Sequence, residues 1–109
     1  MSNVVSITAP WAIWTVNDEE YKLKLKISEI ERLERMYGQG NLMNPMMAGD
    51  RGALPSLVYM IDIIHASLQK YHHGYSREAT VALVDRYFDK DGSQTDLLQL
   101  IMEVFRVSG

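Results

Sequence analysis

The chain has 109 residues, 47% of them hydrophobic and 23% charged, with a net charge of -3 and no cysteine. A chain of this length buries about 65% of its unfolded surface, enough for one core without metal or disulfide staples. The missing cysteines exclude disulfides and thiolate metal sites, and the acidic balance argues against a nucleic-acid binder, which needs a basic face.

Residues 1–10 mix small and polar side chains without a period and read as a flexible arm ending at Pro10. Residues 11–109 read as a single α+β domain. The first residues carry neither a basic region nor an apolar run of signal-peptide length, so no leader is expected. The apolar segments further on are interrupted by Asp62 and His65, so no membrane span is expected either, and the lack of cysteine suits an intracellular protein.

Trp11 to Val16 is aromatic and β-branched, the composition of a strand. A polar break, Asn17 to Glu20, leads to a second strand over Tyr21 to Ile27. There Tyr21, Leu23, Leu25 and Ile27 alternate with Lys22, Lys24 and Lys26. That period of two gives one buried face and one lysine-coated face, and the two strands form a hairpin. At Ser28 the period becomes helical. Ser28 and Glu31 have the spacing of a capping box, Ile30, Leu33 and Tyr37 recur on one face, Glu31 and Arg35 pair at i,i+4, and Gly38 suits a left-handed stop.

Gln39 to Pro55 is rich in glycine and proline and reads as a loop carrying Leu42, Met43, Met46 and Met47. Pro55 suits the first turn of the next helix, which runs to about Tyr71 and is the most apolar segment of the chain. Its narrow polar face comprises Asp62, His65, Gln69 and His72, so this helix is expected at the centre, touched on most sides. Gly74 ends it. Ser76 caps a helix over Arg77 to Phe88 whose apolar stripe is Val81, Val84 and Phe88, with Leu83 and Tyr87 beside them. Asp89 to Gly92 turns the chain, and Ser93 with Asp96 forms a further capping box. The last helix runs to about Arg106 and buries Leu97, Ile101, Val104 and Phe105. The expected fold is therefore an N-terminal β-hairpin followed by a bundle of about four helices.

Chemistry is sparse. With Gly92 as the sixth position of a calcium loop, Tyr87 and Leu98 would occupy the first and twelfth, and neither supplies a carboxylate. His65 and His72 lie about 10 Å apart along one helix, too far to share a metal without a third element. His72 and His73 are expected to meet the last carbonyls of their helix. No phosphate loop, zinc motif or nucleophile elbow is present, so neither an enzyme nor a cofactor or metal site is expected.

The order of these elements resembles the tail assembly chaperones of long-tailed bacteriophages and prophages of Gram-positive bacteria. The resemblance rests on the KLKLKI strand passing into I-x-x-LE-x-x-YG, then Gly49-Asp50, a long apolar helix, the Gly74 to Ala79 start GYSREA, and a leucine-rich last helix. It spans roughly Trp14 to Phe105. It implies a non-enzymatic protein that coats the tape-measure protein, keeps it soluble in the host cytoplasm, helps recruit tail-tube subunits and is absent from the mature virion. Self-association is compatible with such a role. The family has no residue-level signature to carry across. The contact surface is therefore read from the residues themselves, as Leu42, Met43, Met46 and Met47 in the adaptable methionine loop, and Trp11 and Trp14 on the first strand. The alternative is a small tail-completion or head–tail connector subunit that stays in the particle. A helix-turn-helix regulator is disfavoured by Asp96 and Glu103 on the last helix.

Overall fold

The structure, a computed structural model, describes residues 9–37, 54–90 and 92–108. In order these form β1 (Ala12–Val16), β2 (Glu19–Leu23), α1 (Ile27–Tyr37), α2 (Leu57–Leu68), α3 (Arg77–Lys90) and α4 (Gln94–Ser108). The expected architecture is the observed one, an antiparallel hairpin followed by four helices.

The hairpin is tighter than its sequence suggests. Val16 pairs with Glu19, so only Asn17 and Asp18 turn the chain, at φ of 51° and 69°. Two successive left-handed residues make a turn whose twist matches that of the strands. Asparagine tolerates this conformation, and aspartate does so at some cost. Asp18→Gly should therefore raise stability by about 0.5–1 kcal/mol, read as a shift in urea midpoint at constant m-value.

Pairing stops at Ala12 with Leu23, four residues short of the expected strand end at Ile27. The cause lies on the other strand. The same register would set Leu25 opposite Pro10, which has no N–H to offer. Beyond Leu23 the chain stays extended but changes partners. Lys24 N–H donates to the carbonyl of Ser67 at 3.0 Å, and Leu25 N–H to Ser108 Oγ at 2.9 Å. Leu25 is still buried, whereas Ile27 lies 79% exposed and opens α1.

The expected cap of α1 also shifts. The Lys26 carbonyl accepts from the N–H groups of Glu29 and Ile30, so Lys26 is the cap and Ser28 sits inside the first turn. Glu31 turns away from Ser28 to bond Arg35 at 3.1 Å, the expected i,i+4 pair. Leu33 is fully buried, with Ile30 and Tyr37 half-buried beside it. Gly38 lies outside the described residues.

α2 is the central helix. It touches β2, α1, α3 and α4, and it buries Tyr59, Met60, Ile61, Ile63, Ile64, Ala66 and Leu68. Pro55 precedes the helix instead of opening it, because Ser56 is the cap, its Oγ accepting from Tyr59 N–H at 3.1 Å. α3 is capped by Ser76, whose Oγ accepts from Ala79 N–H at 3.0 Å. Its inward face is Thr80, Leu83 and Val84 with Tyr87 and Phe88, and Val81 falls outside it at 40% exposed. The helix continues through Asp89 and Lys90, where a turn was expected. Ser93 and Asp96 form the expected reciprocal box, with Ser93 N–H donating to Asp96 Oδ2 at 3.0 Å and Asp96 N–H to Ser93 Oγ at 3.1 Å. α4 then buries Leu97, Ile101 and Val104 and extends two residues past Arg106.

Candidate functional site

The polar stripe on and just beyond α2 is spent on the fold. Asp62 accepts from the Tyr37 hydroxyl on one oxygen and from Arg77 Nε at 2.8 Å on the other, joining α1, α2 and the start of α3. Burial and the Asp62 carboxylate push the Tyr37 hydroxyl well above the usual tyrosine range. The Tyr75 carbonyl accepts from Gln69 Nε2 at 2.7 Å and from His65 Nε2 at 3.1 Å, so His65 carries its proton on Nε2. Gln69 Oε1 also holds the N–H of Gly74, which takes the left-handed φ of 83° that closes this turn.

His72 was expected to serve its own helix. Its ring instead crosses to the hairpin, where Nε2 accepts from the backbone N–H of Lys22 at 3.0 Å. An imidazole accepting from an amide is neutral at that nitrogen. Burial, with the Lys22 ammonium second, holds its pKa below the ordinary histidine value. The bond therefore stabilises the fold fully above about pH 6.5, the unfolded value, and is lost as pH falls through the lower folded one. His72→Gln keeps an acceptor without a titrating proton. The difference in denaturation midpoint between wild type and this variant should be constant above neutrality and move in the variant's favour towards about pH 5.

Around this bond lies an aromatic surface group. The Trp11 ring meets Tyr71 edge-on at 5.6 Å, with Lys22 Nζ 4.3 Å from its centroid, and Tyr21 lies against His72 at 5.4 Å. Trp11 is half-buried. The Trp14 side chain, expected at a contact surface, is buried in the core. It is 2% exposed, its ring packed against Tyr87 at 5.6 Å and Tyr21 at 6.1 Å, because the inward phase of β1 is Ala12, Trp14 and Val16. Leu42, Met43, Met46 and Met47 lie outside the described residues.

One apolar feature escaped the sequence reading. Leu54, Leu57 and Val58 are 40%, 39% and 59% exposed where the chain enters α2. The signal was present: a helix apolar on nearly every side has more hydrophobic positions than one core stripe can cover. Leu54 stands just before α2 and Leu57 and Val58 are its first two residues, so the three set an exposed apolar lip at the entrance to the central helix.

Among the described residues, no group of three histidine, aspartate or glutamate side chains is placed to hold a metal ion, and no helix is long and apolar enough to cross a membrane. Comparison with protein-family models, with curated proteins and with solved structures finds no match to this chain.

Proposed function

We propose that this protein is a tail assembly chaperone of a long-tailed bacteriophage or prophage, a binding module that keeps the tape-measure protein soluble and helps recruit tail-tube subunits. The observation that carries the binding role is the exposed lip of Leu54, Leu57 and Val58. In the sequence it stands shortly after Met43, Met46 and Met47, a residue type that packs adaptably against varied apolar partners. Such a surface suits the apolar face of an amphipathic helix, of which a tape measure has many. The order of strand and helices supports the specific reading through the family resemblance of the sequence.

Co-expression with the tape-measure protein of the same phage or prophage tests the proposal. The tape measure should stay in the soluble fraction and co-purify with this chain, and should aggregate without it. Leu57→Ser with Val58→Ser should weaken co-purification with the fold retained, at a stability cost of about 1–2 kcal/mol that falls mainly on Leu57, 39% exposed against 59% for Val58. A tape measure whose solubility is indifferent to this protein sinks the reading. Detection of the chain as a stoichiometric component of purified virions would favour a connector or completion subunit instead.

A further inference from the structure

The hairpin has two outer edges, and they differ. Val16 and Glu19 close a two-residue turn and form a hydrogen-bonded pair, so Trp14 with Tyr21 and Ala12 with Leu23 are pairs of the same kind. The N–H and C=O groups of the residues between them point away from the hairpin. On the β2 side part of that edge is taken, Lys22 N–H by His72 and, just beyond the strand, Lys24 N–H by Ser67. On β1 the outward groups belong to Ile13 and Thr15, and among the described residues none bonds to them. Both side chains are exposed, Ile13 at 42%.

Folded domains protect such an edge with lysine, proline or a bulge, and β1, AIWTV, has none of these. We propose that β1 is the joint of a symmetric dimer, pairing antiparallel with β1 of a second copy about a two-fold axis at Trp14. Three observations select a second copy as the occupant. First, β1 is uncharged, so two copies meet without like charges opposed, whereas β2 carries Glu19, Glu20 and Lys22. Second, centring on Trp14 sets Ile13 opposite the partner's Thr15 and Thr15 opposite the partner's Ile13. Each pair exchanges two backbone bonds, so the outward groups of both residues are satisfied in both copies. Third, the same register carries the partner's Ala12 and Pro10 past Val16 and Asp18. An open cleft of about 160 Å³, lined by Thr15, Val16, Asn17, Asp18, Tyr87 and Lys90, lies at these two residues. The product is a four-stranded sheet, β2–β1–β1–β2, with the helices of both copies on one side. The joint is only five residues long, so the dimer is reversible and concentration-dependent.

Sedimentation equilibrium of the full chain over about a hundredfold range of concentration should show the average mass rising towards twice that of the monomer. Thr15→Pro removes an outward N–H from an edge strand and should hold the mass at that of the monomer, with helical circular dichroism retained. Register is tested separately. In the proposed pairing the Cα atoms of Ile13 and the partner's Thr15 are about 5.5 Å apart, within disulfide reach. Ile13→Cys and Thr15→Cys proteins, mixed under mild oxidation, should form the mixed disulfide in clear excess over either homotypic one. A wild-type chain that stays monomeric throughout overturns the proposal, as does a statistical mixture of disulfides or a folded Thr15→Pro protein that dimerises like the wild type.

Discussion

Trp14→Ala should cost about 3–5 kcal/mol, the loss expected when a large aromatic leaves a packed core and its neighbours collapse only partly. The ring is 2% exposed and wedged between Tyr21 and Tyr87, so its removal detaches the hairpin from the helices as well as opening a cavity. Trp11→Ala, which removes a half-buried ring from Tyr71 and Lys22, should cost about 1 kcal/mol. A third variant separates volume from polarity. The indole N–H of Trp14 is buried without a hydrogen-bond partner among the described residues, and such a donor is a liability of about 1–3 kcal/mol. Trp14→Phe loses some contact area but sheds that liability, so it should lie within about 1.5 kcal/mol of wild type. Urea titration of the three proteins gives the ranking, and a Trp14→Ala midpoint close to that of Trp11→Ala would place the ring outside the core.

Gly92→Ala is the second large effect, expected at about 1–3 kcal/mol. A methyl group at Gly92 would lie 2.1 to 2.4 Å from the Tyr87 ring, closer than atoms can approach. The ring has little freedom to move, since it packs on Trp14 and Phe88 and its own backbone carbonyl is bound by Gly92 N–H at 2.9 Å. The cause can be isolated with a double-mutant cycle. In a Tyr87→Ala background the ring is gone, and Gly92→Ala should then cost only a few tenths of a kcal/mol. Equal costs in both backgrounds would show that the ring is not what the methyl group meets.

The features legible in the sequence were those whose partners sit within a few residues. The Ser93–Asp96 box, the Ser76 cap and the Glu31–Arg35 pair are all of this kind. The features misread had their causes elsewhere in the chain. The KLKLKI alternation persists to Ile27, but pairing ends at Leu23 because Pro10 stands on the opposite strand. Ser28 has the spacing of a cap, yet the incoming chain is tethered at Ser67 and Ser108, and the helix starts from Lys26. Residues 11–16 are apolar in both phases, Trp11 and Ile13 against Ala12, Trp14 and Val16. Nothing local says which phase faces inward. That was decided by Tyr87 and the helices beneath. The stripe of Asp62, His65, Gln69 and His72 was visible as a stripe, but its partners Tyr37, Arg77, Tyr75 and Lys22 come from other turns and elements. For the candidate site, the excess apolar residues at the entrance to α2 were readable, and their exposure was not.

The bond from Leu25 N–H to Ser108 Oγ spans 83 positions of the chain. During synthesis the hairpin, α1, α2 and α3 leave the ribosome while Ser108 is still inside it or not yet added. Ser67 is then available to hold Lys24, but the next amide has no protein acceptor and α4 has not yet covered its share of the core. Closure of the fold therefore waits for α4: until Ser108 has left the ribosome one side of the central helix stays bare, and no earlier closure can protect it from the proteases and holdases that survey emerging chains.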